Sequence, residues 1–273
     1  INTKAVPSER ILDFSFSSGY NSETSLSDGL LYDGGSDDDL GYDDGTRDFP
    51  SFVQRAINGN QKLDRSNFKT YELANAGREF ENSRLWVIQE GDVPLDNSVS
   101  FTYGDELDIG IEDILDDESA TIGVLLTAGV KSSWETQEGI RQTGDIQGQG
   151  DGTSIVIRGN DKTFKSTSNN VTTYLMAVAG IETDTAELKY TGMYIHKGTK
   201  EARTLQGYDT SDSGNVREDF TEFFERELTN HQLNYNYIFQ NDMELDLRLA
   251  SGDASRYAPY ERVVFYEDTD DRG

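Results

Sequence analysis

The residues of this chain that could do chemistry are above all its carboxylates. Between Asp33 and Asp48 the sequence gathers Asp33, Asp37, Asp38, Asp39, Asp43, Asp44 and Asp48 around Gly34, Gly35, Gly41 and Gly45, with Arg47 as the lone cation. Carboxylates interleaved with glycines can wrap a hard cation such as calcium, which takes about six to eight oxygens. The same composition also makes a solvated, charge-repelling loop, and its spacing fits no EF-hand pattern. Arg47 reads first as the structural partner of the surrounding carboxylates and second as a ligand contact. Asp43, Asp44 and Arg47 are the candidate ligand-binding residues, and metal binding at this loop stays open.

Other reactive groups are sparse. There is no cysteine, which removes disulfides, thiol catalysis and thiolate metal sites together. His196 and His231 are the only histidines; they fall on different strands and read as ordinary strand residues rather than as a metal pair or a general base. Glu244 and Asp246 share one face of a strand and could suggest acid/base work, but on a barrel strand they read as a hydrated inner wall. The glycines from Gly144 to Gly152 lack the Lys-Ser/Thr ending and following helix of a phosphate loop. No catalytic residue and no cofactor is expected.

Bulk properties narrow the class further. A net charge of -27 excludes nucleic acid as a partner, because a polyanion would be repelled. No window is apolar enough for a transmembrane helix. A transmembrane β-barrel escapes that test, because alternating strands hide their apolar face from any hydropathy average. The negative charge itself suggests cationic ligands or a saline habitat. The chain starts at Ile1 with no signal peptide ahead of Ala5 and Pro7, so it reads as processed or as a piece of something longer.

The elements that must position these groups are strands. The clearest alternation sets Leu233, Tyr235, Tyr237 and Phe239 against Gln232, Asn234 and Asn236, turns at Gln240, Asn241 and Asp242, and resumes with Met243, Leu245, Leu247 and Leu249. Earlier strands are expected from Arg10 to Tyr20, around Val99 to Tyr103, over 120–134, and over 171–183 and 185–197 with a tight turn near Glu182 to Asp184. Between them lie a long connection over about 21–96 with short helices in 51–80, a modest acidic turn near 108–119, and polar, glycine-rich loops over 136–169 and 198–218. The connections alternate long and short, so the long ones gather at one end, as in up-and-down outer-membrane barrels. Trp134, Tyr190, Tyr194, Tyr235, Tyr237 and Phe239 fall on the apolar parity, where aromatic girdles belong.

The order of several segments resembles a TonB-dependent outer-membrane receptor. The segments are Asn2, Thr3, Lys4, Ala5, Val6 and Pro7 before the first strand; LGYDDGTRDFP from Leu40 to Pro50; and Gly77, Arg78, Glu79 and Phe80 with Asn82 and Trp86. The last is the run Arg226 to Tyr266, including Glu227, Leu228, Thr229, Asn230 and Leu233, then Ala254, Ser255, Arg256, Pro259 and Arg262. The resemblance covers the end of the plug, with 1–9 as the plug-to-barrel connector, and the first part of the barrel over 10–273. It implies a share of about seven or eight strands in a larger barrel of about twenty-two. It also implies capture of a scarce siderophore, cobalamin or oligosaccharide, uptake driven by the inner-membrane TonB complex through the plug region, and residence in the outer membrane of a Gram-negative cell.

The fold expected is therefore all-β: a partial, antiparallel, up-and-down transmembrane barrel with long extracellular loops, lipid around it and no enzymatic activity. Two other readings compete. A secreted acidic module binding calcium or carbohydrate would turn its apolar parities inward onto one core. A glycosidase would need two carboxylates converging in a cleft.

Overall fold

The structure is a computed structural model and describes Pro7 and residues 9–82, 85–110, 119–149, 152–209 and 214–267. The connector 1–9 falls outside it except for Pro7 and Glu9, as does most of the acidic turn expected at 108–119. The protein is all-β and antiparallel. One seven-stranded sheet runs in the order β1-β4-β5-β6-β7-β8-β9, and a separate two-stranded ribbon pairs β2 with β3. The large sheet contains β1 (Ile11–Gly19), β4 (Asp96–Gly110), β5 (Ser119–Gln149), β6 (Gly152–Glu182), β7 (Ala186–Asp209), β8 (Gly214–Ile238) and β9 (Glu244–Glu267). Each strand lies beside its predecessor in the meander, so every connection within the sheet reverses direction. The sheet is open: among the described residues, β1 and β9 pair on one side only.

The expected hairpins form, and the strands run much further than their alternation. The turn after Glu182 closes with Thr183 N–H donating to the Ala186 carbonyl, and the turn after Ile238 closes with Phe239 N–H donating to the Met243 carbonyl at 2.8 Å. In the polar stretches expected as loops at 136–169 and 198–218, the described residues 136–149, 152–169, 198–209 and 214–218 are strand. β5 and β6 stay paired from Thr121↔Glu182 to Gln149↔Gly152, with a bulge between Gln142 and Gly144, and β7 and β8 stay paired to Asp209↔Gly214. Polar residues on both faces erase the two-residue period, while the backbone ladder needs no side-chain signal. Two of the three long loops expected at one end are thus strand extensions.

The third long connection is a folded insertion between β1 and β4. It holds β2 (Asp28–Leu31), a short 3-10 helix (Asp38–Leu40), α1 (Ser51–Asn58), α2 (Thr70–Asn82) and β3 (Gln89–Asp92). The two helices bear out the reading of 51–80. The acidic stretch 33–48 is not the freely solvated loop its composition suggests, because Arg47 within it, like Thr24, Ser25, Leu30 and Tyr32 just before it, is buried. Their apolar cluster joins Leu30, Tyr32 and Leu85 of the insertion to Ala202, Phe223 and Tyr260 of β7, β8 and β9.

The sheet has two unlike faces. On one, register rows such as Phe14↔Phe101↔Ala128↔Leu175↔Tyr194 and Val124↔Ala179↔Tyr190↔Leu233↔Leu249 are apolar across strand after strand. Yet Leu12, Phe14 and Leu249 remain about 70% exposed (71%, 71% and 68%). From Ile122 to Val130 this belt covers about 27 Å along β5 at ~3.4 Å per residue. Further up the same face sits the insertion. The opposite face carries Ser100, Thr127, Gln232, Asn234 and Arg248.

Candidate functional site

The insertion is seated on the sheet by two glycines. Gly41 has φ +84°, and a Cβ on Gly198 of β7 would stand 2.2 Å from the Gly41 oxygen, so neither position accepts a side chain. This contact lets the Gly41 carbonyl reach His196 Nε2 at 2.9 Å and brings Tyr42 flat onto the His196 ring, centroids 3.7 Å apart. Thr173 Oγ1 donates to the Leu40 carbonyl at 2.9 Å. Tyr42 and Tyr194 hydroxyls meet at 3.1 Å, and Tyr194 donates to Glu227.

At the centre of the docked loop lies Arg47, whose side chain is fully buried. Its Nη2 contacts Asp38 Oδ2 at 2.6 Å and its Nη1 contacts Asp43 Oδ1 at 3.1 Å. Lys200 of β7 adds a second cation to Asp38 Oδ2 at 2.8 Å. The guanidinium lies 3.9 Å from the centroid of the Phe223 ring, and the Lys200 ammonium 4.7 Å from that of Tyr32. Burial opposes the Arg47 charge, but the hydrogen bonds from Arg47 to Asp38 and Asp43 outweigh it and hold the group firmly protonated. Burial also pushes the Tyr32 phenol upward, so it stays neutral and donates to the Glu222 carbonyl at 2.7 Å. Asp38 Oδ1 and Arg47 Nε are buried without a hydrogen-bond partner.

Of the three candidate residues, the fold brings Asp43 and Arg47 together and sets Asp44 apart. Asp43 also donates its backbone N–H to Glu225 Oε1 at 2.6 Å. Asp44 staples the loop to itself: Oδ1 accepts from Thr46 N–H, and Oδ2 accepts from both the N–H and hydroxyl of Ser36. Those bonds, from Thr46 first and then Ser36, hold its carboxyl well below the usual carboxylate range. The expectation that Arg47 partners neighbouring carboxylates holds. Among the described residues, no group of three or more His, Asp or Glu side chains is arranged to hold a metal.

Sequence reasoning missed the residues that complete this network. Lys200, His196 and Phe223 lie about 150 residues or more from the loop in the chain, and no local spacing announces them. It also missed Lys162, buried on the other face and paired with Asp209 Oδ2 at 2.7 Å and with Glu218. His231, read as an ordinary strand residue, makes a 2.8 Å hydrogen bond with the Tyr190 hydroxyl. Glu244 and Asp246 stand exposed on β9 and are engaged by Asn236 and Arg248 respectively.

A concavity of about 560 Å³ lies between the edge of the insertion and the upper sheet. Leu30, Ile88 and Ile140 supply its apolar lining, and the Glu138–Lys165 pair at 3.0 Å with Gln206 and Arg217 its polar one. Such a site can hold a polar molecule by hydrogen bonds and carries no activated nucleophile. No protein-family model, curated protein or solved structure matches the chain.

Proposed function

We propose that this chain forms part of the wall of an outer-membrane β-barrel receptor that captures a scarce small molecule, of siderophore, cobalamin or oligosaccharide type, for TonB-energised uptake. The observation that carries this reading is the exposed apolar belt. Water is a poor solvent for a continuous surface of Leu12, Phe14, Phe101, Leu126, Leu233, Leu247 and Leu249, whereas bilayer hydrocarbon is a good one. Its depth along the strands is close to the roughly 25 Å of a lipid-facing band once strand tilt is allowed for. At the short-turn end Tyr235 stacks on Tyr237 with ring centroids 6.4 Å apart, and Phe239 meets Tyr237 edge-on at 4.8 Å, as in an interfacial girdle.

In this reading the polar face lines the lumen, and the insertion and strand extensions stand outside the cell. The unpaired edges of β1 and β9 receive further barrel strands, since a lipid-exposed sheet edge is not tolerated. The energy-coupling complex engages a plug rather than this wall.

The test is to refold residues 1–273 in water, in detergent and in lipid vesicles. Protease-resistant β-structure that forms only with detergent or lipid is the expected result. A cooperative, monomeric β-protein in plain buffer would overturn the reading in favour of a secreted acidic module.

A further inference from the structure

The polar face carries a charge pattern that the net charge of -27 conceals. One register row runs Ser17↔Ser98↔Lys131↔Thr172↔Lys197↔Arg226↔Arg256 and crosses all seven strands of the sheet. It holds hydroxyls and cations and no carboxylate, in a chain with 51 acidic residues against 24 basic ones. Lys197, Arg226 and Arg256 occupy three adjacent strands, and Lys131 lies two strands further on, so their backbones are spaced by about 5 and 10 Å.

None of these four cations has an ion pair or hydrogen bond to another described residue, whereas Arg47, Lys162, Lys165 and Lys200 are all paired. The nearest parallel row of carboxylates, Glu135↔Ser168↔Glu201↔Glu222↔Glu261, lies four residues further up β5, β7 and β8. That is about 13 Å, beyond the reach of a direct ion pair. Between the two rows β8 and β9 slip register around Phe224, opposite Pro259. Phe224 contacts both arginines, with the Arg226 and Arg256 guanidinium carbons 4.7 and 4.8 Å from its ring centroid. Packing against the ring steadies both guanidiniums while their N–H edges stay free to bind bidentately.

We infer that this row binds a small, multiply charged anion, such as a polycarboxylate or an anionic metal chelate, with negative groups spaced to match adjacent strands. The inference rests on the receptor reading, in which this face lines the lumen. It reverses the expectation, drawn from net charge, that the ligand is cationic: local register, not the chain's total charge, sets the sign a ligand meets.

The experiment titrates the detergent-refolded chain by calorimetry with inositol hexakisphosphate and, separately, with spermine. Hexakisphosphate should bind and weaken as salt is raised. Arg226→Gln and Arg256→Gln should each weaken it about tenfold, the scale of a charge-assisted hydrogen bond. Glu135→Gln with Glu261→Gln should leave it intact or tighten it. No hexakisphosphate binding, equal binding by the arginine variants, or spermine binding that those variants abolish would each overturn the inference. Vesicle insertion is scored on the same preparations. Anion binding without insertion sinks the barrel reading alone, and insertion without anion binding sinks this inference alone.

Discussion

The upper and lower halves of one sheet face have met different fates. Above, the face is covered by the insertion and presents Thr136, Thr167, Thr173 and His196, which make hydrogen bonds to the loop, and Thr221, which bonds with the Tyr260 hydroxyl of β9. Below, the same parity of the same strands is bare and presents Val124, Leu126, Leu188, Leu233 and Leu247. A face designed to be covered by protein supplies partners for the backbone and hydroxyls that arrive. A face with no partner groups to offer is matched to a medium that makes no hydrogen bonds. On the proposed receptor reading the two halves face two solvents, and substitutions in each half test that difference.

The largest effect is expected at Arg47. Arg47→Met leaves Asp43 buried with no cation and Asp38 with Lys200 alone, a loss of about 3–5 kcal/mol. It should appear as rapid proteolysis and hydrogen exchange over 21–96 with vesicle insertion unchanged. If insertion into lipid failed as well, the two halves would not be independent.

Next comes the belt. Leu249→Arg should be nearly neutral in water, where the side chain is 68% exposed, and should cost about 2–4 kcal/mol in lipid. Equilibrium refolding with and without vesicles measures both numbers, and equal small costs would mean that lipid does not cover this face.

A smaller change is expected at Gly198→Ala, whose Cβ would collide with the Gly41 carbonyl. Overpacking of this kind costs about 1–3 kcal/mol. It should loosen the Tyr42–His196 stack, visible as altered tyrosine fluorescence.

The least is expected from Asp44→Asn, which removes an exposed staple. Because the folded carboxyl titrates below its ordinary value of 3.8, its contribution is present above about pH 4 and is lost only as the pH falls further. The variant should therefore differ from the parent in loop proteolysis at neutral pH and converge with it in strong acid. A gap that widened on acidification would reverse the assigned sign.

How much of this was legible beforehand depended on which signal each segment carries. The hairpin at 232–249 and the strand at 10–20 were readable because a wet face and an apolar face alternate along them. The upper halves of β5 to β8 were unreadable, since residues such as Gln137, Lys165, Glu201 and Arg217 are polar on either side and only the ladder makes them strand. Arg47 was legible as a partner of carboxylates because it stood alone among them. Its anchors Lys200 and Phe223 were invisible, because they reach it through the sheet rather than along the chain.

By itself, the sequence determined that this protein is antiparallel β, that its strands have an apolar and a polar side, and that an acidic loop surrounds one arginine. Periodicity and composition are local properties, and they suffice for that. The tertiary structure alone decided where the insertion docks, that Asp43 and not Asp44 meets Arg47, and that Lys131, Lys197, Arg226 and Arg256 stand in one row. Each of those depends on strand register, and a shift of one residue would send every one of these side chains to the opposite face.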